Sequence, residues 1–157
     1  MTAIIPHLWF EKGAVEAATF YVSLFPDSRI DRQDTIPTET PSGPPGTVEI
    51  VDFTLAGRPM KAIGAGSLDP FNHAISLFAE CEDQAEVDRV WAALSDGGAV
   101  ERCGWLRDRY GVSWQIVPKE LGALMSGDRL RAKRVMDALL GMTKIDIVAL
   151  RKAAEVA

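Results

Sequence analysis

Apolar positions along this chain follow two rhythms in turn, and the second half of the sequence repeats the first. Residues 3–9 are largely apolar and read as a strand. No Ser or Asp cap follows, but Gly13 opens a helix in which Ala14, Ala17, Ala18, Tyr21, Leu24 and Phe25 recur on one face at three- and four-residue spacing. Pro26 stops that helix and Asp27-Ser28 turns the chain. Residues 28–36 form a second strand. The stretch 37–46 holds four prolines and two glycines, which makes it a loop. Residues 47–55 and 59–65 then pair as a hairpin around Ala56-Gly57-Arg58.

A strand over 74–81 begins the pattern again. Asp83 is an N-cap, with Glu86 three residues on as its capping-box partner. Val87, Val90, Trp91 and Leu94 make the helical stripe, which Asp96-Gly97-Gly98 ends. Short strands over 100–103, 106–109 and 112–117 follow, with a turn at Tyr110-Gly111 and a stop at Pro118. The remainder is helical, over about 119–125, 129–140 and 145–154.

A shift of 70 residues lays Phe20-Tyr21 on Val90-Trp91, Leu24 on Leu94, and residues 6–10 on 76–80. Both halves run strand, helix, then about three strands. Two copies at so long a period point to paired βαβββ modules, not to a solenoid. The expected fold is α+β: a single domain over 1–157, with module one at about 3–66, module two at about 73–118 and a helical tail at about 119–155. Such modules side by side make a curved sheet, with helices on one face and the concave face left as a pocket.

Composition narrows the partners. Hydrophobic residues are 47% of the chain and charged ones 25%, as in globular domains. No apolar run approaches the roughly 20 residues of a membrane-spanning helix. Residues 1–3 lack a basic region, and Pro6 and His7 interrupt the first apolar stretch, so no signal peptide is read and a cytoplasmic location is expected. The net charge of −5 argues against nucleic acid. The basic cluster Arg129, Arg131, Lys133 and Arg134 reads as a solvated helix face. Cys81 and Cys103 form no C-x-x-C pair and read as small buried hydrophobes.

Two stretches carry a family resemblance. One is Ile5-Pro6-His7-Leu8-Trp9-Phe10 with Ala17-Ala18-x-Phe20-Tyr21-x-Ser23-Leu24-Phe25-Pro26. The other is Phe71-Asn72-x-Ala74-Ile75-Ser76 with the string Cys103-Gly104-Trp105-Leu106-x-Asp108-x-Tyr110-Gly111-x-Ser113-Trp114-Gln115-Ile116-Val117-Pro118. Together they resemble the PhnB-like branch of the vicinal oxygen chelate (glyoxalase/bleomycin-resistance/dioxygenase) superfamily, many members of which carry the label 3-demethylubiquinone-9 3-methyltransferase domain. The resemblance covers nearly the whole chain. It implies paired βαβββ modules and, commonly, a homodimer.

Metal-dependent members of that superfamily offer His or Gln from the first strand of each module and Glu from the last. Counting back from Phe20-Tyr21 puts those positions at Pro6 and, by the 70-residue shift, at Ser76. Neither is a metal ligand of that type. Gln115 stands where Glu is usual, and residues 60–64 hold no carboxylate. His7, one residue along, is expected to face the helix, and His73 to lie in a loop or lid. No metal and no cofactor are expected.

Other chemistry is poorly represented. There is no G-x-S-x-G, and Gly64-Ala65-Gly66 lacks the spacing of a nucleotide loop, which weighs against the methyltransferase label. Strand alternation assigns Leu8, Phe10, Ser76, Phe78, Ser113 and Gln115 to the cleft, with Trp105 at its edge. Trp9, Trp91 and Trp114 are read as core. Arg107 could supply a cation for a carboxylate or phosphonate, or be held by Asp108 or Glu101. The expected partner is a small organic molecule. An enzyme working through a metal or through Gln115, Ser76 and Arg107 is the alternative, and a third reading has the tail dock on a partner through Leu130, Val135, Leu139, Ile145, Ile147 and Leu150.

Overall fold

The computed structural model describes residues 1–155, which fall into two compact units, Met1–Pro70 and a second from Phe71 onward. The first contains β1 (His7–Phe10), α1 (Ala14–Leu24), β2 (Arg29–Thr35), β3 (Glu49–Leu55) and β4 (Arg58–Gly64). Its sheet runs β1-β4-β3-β2, with β1 parallel to β4 and the other pairs antiparallel. The second contains β5 (Leu77–Cys81), α2 (Gln84–Ser95), β6 (Ala99–Val100), β7 (Trp105–Arg107) and β8 (Ser113–Pro118). Its sheet runs β5-β8-β7-β6, again with the first strand parallel to the last. Each module is therefore βαβββ, with the same strand order, as the sequence repeat predicts.

Local chemistry explains where the elements start and stop. β1 begins at His7, not at residue 3, because Pro6 has no N–H to give the ladder, although its carbonyl still accepts from Lys61 N at 3.0 Å. The β3–β4 hairpin closes on two residues, Ala56 at φ 45° and Gly57 at φ 75°, the positive pair whose twist suits antiparallel strands. α1 starts without a side-chain cap, and Phe25 leaves it in extended backbone ahead of Pro26.

α2 has the cap that the sequence predicts. The Asp83 carboxylate accepts from Glu86 N at 2.9 Å, while Glu86 Oε2 accepts from Glu82 N at 2.8 Å, one residue before the N-cap. Asp83→Ala is expected to lower stability by about 1 kcal/mol in urea unfolding.

The tail is built into the second unit as α3 (Glu120–Met125), α4 (Arg129–Leu140) and α5 (Ile147–Glu155). Val117, Leu124, Val135, Leu139, Ile145 and Leu150 are buried together as its core. Complete burial of one such side chain contributes about 1.5–3 kcal/mol. Polar contacts fasten the tail to its module. Gln84 donates to Ile145 O at 3.1 Å and accepts from Ile147 N at 2.8 Å, and Lys144 pairs with Asp88 at 2.5 Å. The hydrogen bonds from Lys144, then Gln84, hold the Asp88 carboxyl below its ordinary pKa. Cys103 N and Gly104 N donate to the carbonyls of Met142 and Thr143 at 2.9 and 2.8 Å. Five of the six apolar tail residues singled out from the sequence are thus buried in the protein's own structure; Leu130 remains exposed. α5 begins at Ile147, not 145, because Asp146 Oδ1 caps Ala149 N at 3.0 Å and leaves Ile145 outside the helix as a core anchor.

Candidate functional site

In module two, alternation along β8 separates two faces. Trp114, Ile116 and Leu106 are buried on one side, and Val87, Val90 and Leu94 of α2 are buried too. Cys81 lies on that helix side, where burial first and the Glu86 carboxylate second push its thiol up to about 12. A thiol so placed stays protonated near neutrality and is a packing group. The other face carries Phe78, Gln115, Trp105, Arg107 and Ser113, tied in register as Phe78↔Gln115, Trp105↔Gln115 and Arg107↔Ser113. Ser76, just before β5, joins them by accepting from Gln115 Nε2 at 2.9 Å.

The six residues that sequence reasoning assigned to this half of the cleft therefore share one face of one sheet. Phe78 is 54% exposed, whereas Ser113 is 2% exposed and its hydroxyl oxygen, though buried, has no hydrogen-bond partner. Val117, two residues beyond Gln115, belongs to the core of the tail, so the tail covers that end of the face. At the rim, His73 lies 5.7 Å from the Trp105 ring and pairs with Glu101 at 2.7 Å.

Asp108 supports this face, a role that sequence reasoning missed. It is 3% exposed; Oδ1 accepts from Tyr110 N and Val112 N at 2.9 and 3.0 Å, and Oδ2 accepts from the Trp114 indole at 2.8 Å. The available signal was the Asp108-x-Tyr110-Gly111 turn, in which an aspartate bonds backbone N–H groups ahead of it.

Module one departs from expectation. Leu8 and Phe10 are 5% and 3% exposed and share a face with Val51, Phe53, Met60 and Ala62, all buried. Gly64, paired with Phe10, marks that face as the one toward α1: a Cβ there would lie 3.4 Å from the Ala14 Cβ. Leu8 and Phe10 are thus core residues beneath the helix. His7 and Trp9 occupy the opposite face, with Trp9 37% exposed and its indole N–H donating to Gly66 O at 3.0 Å. Both placements reverse the sequence expectation.

The cause is one residue. Three residues, 11–13, connect β1 to α1, but only two, 82–83, connect β5 to α2. The helices repeat at 70 residues, Ala14 on Gln84, while the strand ends repeat at 71, Phe10 on Cys81, both facing their helix. Gly13, at φ 72°, sits at the end of the longer connection. A slip of one residue exchanges the faces of a strand. Pro6 and Ser76 are consequently not matching positions, and His7 corresponds to Phe78.

This return of His7 to the face away from the helix does not build a metal centre. Its partner across the ladder is Lys61, whose ammonium pairs with Asp52 at 2.6 Å. Gln115, by contrast, faces Phe78 and Trp105. Among the described residues no three of His, Cys, Asp and Glu come together as a metal-holding group. None of the described helices is long and apolar enough to cross a membrane.

Comparison with known proteins accords with this architecture. The model of the family described as 3-demethylubiquinone-9 3-methyltransferase matches residues 2–117. A solved structure of a PhnB protein from Bacillus cereus is 32% identical, with a TM-score of 0.65 over 74% of this chain and 99% of that one. A protein from Pseudomonas aeruginosa, 18% identical, shares the fold with a TM-score of 0.57 over 75% of this chain and 98% of its own. No curated protein matches. The family match stops short of α3, so the helical tail lies beyond it. With its two βαβββ modules and these matches, the chain belongs to the 3-demethylubiquinone-9 3-methyltransferase family, which includes the PhnB protein it resembles.

Proposed function

We propose that this protein binds a small organic molecule, without a resident metal, on the face of module two that turns away from α2. The observation that carries the reading is the Gln115 Nε2–Ser76 Oγ hydrogen bond of 2.9 Å. It orients a carboxamide on a face that also offers Phe78 and Trp105 as apolar surface. A few placed polar groups among aromatic side chains are the usual make-up of a small-molecule site.

A thermal-shift screen, with each hit then titrated by Trp105 fluorescence, tests the proposal. Gln115→Ala is expected to weaken binding of a hit by about tenfold or more while changing the melting temperature of the free protein little. Unchanged affinity in that variant would remove Gln115 from the site. The same titration with a chelator present is expected to be unaltered, and loss of binding there would show that a metal takes part.

The family's name describes methyl transfer, and that name is what favours a catalytic reading. The chain offers no glycine-rich strand-to-helix loop of the common S-adenosylmethionine type, and each sheet is mixed, not parallel. Binding is therefore the function preferred here.

A further inference from the structure

We infer that the ligand of this face carries an oxyanion, a carboxylate or phosphate-type group, received by the Arg107 guanidinium and the Ser113 hydroxyl. The inference rests on the reading above that this face is the binding face.

The carboxylates that could have neutralised Arg107 are committed elsewhere. Both oxygens of Asp108 accept hydrogen bonds from Tyr110, Val112 and Trp114, and its side chain is buried. Glu101 is paired with His73 at 2.7 Å, and Asp96 with Arg109 at 3.3 Å. Arg107 is exposed and forms no ion pair among the described residues, in a chain whose net charge is −5. Glu80 is on the same face but pairs in register with Val117, four positions along β8 from Ser113.

Ser113 supplies the second, independent observation. It is the cross-strand partner of Arg107, 2% exposed, and its Oγ is buried with no partner. Directly opposed residues on an antiparallel pair have Cβ atoms about 5 Å apart, within reach of one small group. A buried hydroxyl left unpaired is costly, and an anion oxygen that accepts its proton removes that cost with a charge-assisted bond. The planar fork of arginine matches two oxygens of a carboxylate or phosphate. A cationic ligand would meet repulsion at Arg107, and a neutral one would leave the guanidinium unused.

The test uses the full-length protein with propionate, methylphosphonate and inorganic phosphate as anionic probes and propionamide as the neutral match for propionate. Calorimetric titration and the Arg107 side-chain Nε–Hε signal in NMR give the two readouts. Anions are expected to bind and to shift that signal, with affinity reduced about tenfold or more in Arg107→Gln and in Ser113→Ala. Arg107→Lys, which keeps the charge and loses the fork, is expected to fall between. Propionamide is expected to show no dependence on Arg107. Anion affinity unchanged in both Arg107→Gln and Ser113→Ala would overturn the inference. So would an equal loss in Arg32→Gln, a surface arginine of module one paired with Asp34. If neutral hits still bind in a Gln115-dependent way while no anion does, the oxyanion assignment fails and the binding face stands. If no compound of either charge perturbs Trp105, both fail together.

Discussion

Asp108→Ala is expected to destabilise the second unit by roughly 3–5 kcal/mol, read as a shift in the urea midpoint. One buried carboxylate here accepts two backbone N–H groups and an indole N–H. Hydrogen bonds to a charged group contribute about 1.5–3 kcal/mol each, and a donor left buried without a partner costs more than the bond was worth. Asp108→Asn separates shape from charge. An asparagine can present its carbonyl to the two backbone groups or to the indole, but its NH₂ then faces the remaining donor. A loss of about 2 kcal/mol is expected for it. Trp114 near-ultraviolet dichroism follows the same event, because the indole is held by Asp108 Oδ2. A loss under about 1 kcal/mol in the alanine variant would mean that the turn between β7 and β8 is held by something else.

Gly104→Ala has a comparable expected effect for a different reason. Gly104 lies at φ 79°, where an added Cβ is strained, and that Cβ would stand 2.6 Å from the Ile116 carbonyl oxygen and 2.8 Å from Ile145 Cδ1. The carbonyl cannot retreat freely, since Ile116 N donates to Gly104 O at 2.7 Å and ties the two backbones together. Ile145 is the anchor of the tail and fully buried. The combined strain is expected to cost about 3 kcal/mol or more. Hydrogen exchange should rise across α3–α5, because Gly104 N also holds Thr143 O. A melting temperature within about 1 °C of the parent protein would show that this corner yields easily.

These two residues show how legible the structure was. Gly104 was visible in the sequence as part of the Cys103–Pro118 string, but its partner Ile145, 41 positions away, was not. Nothing local links them; the contact exists because the tail returns along the β6–β7 corner. Asp108 was equally visible as a turn residue, yet its bond to Trp114 depends on which way β8 faces. The candidate face of module two was readable from β5, β7 and β8 because alternation within one strand pair is strict and Gln115 locates it. The corresponding face of module one was read backwards.

What the sequence by itself determined is the kind and order of the elements. Helical stripes, proline stops, the Asp83 cap and the Ala56-Gly57 turn are local statements about backbone chemistry, and the two-module repeat follows from them. Only the tertiary structure decided which side of β1 is inside, because one extra residue before α1 rotates the strand by a full alternation without disturbing the helix repeat. It also decided that the tail is part of the second unit and that Arg107 forms no ion pair among the described residues. Those outcomes depend on contacts between residues far apart in the chain, where periodicity carries no information.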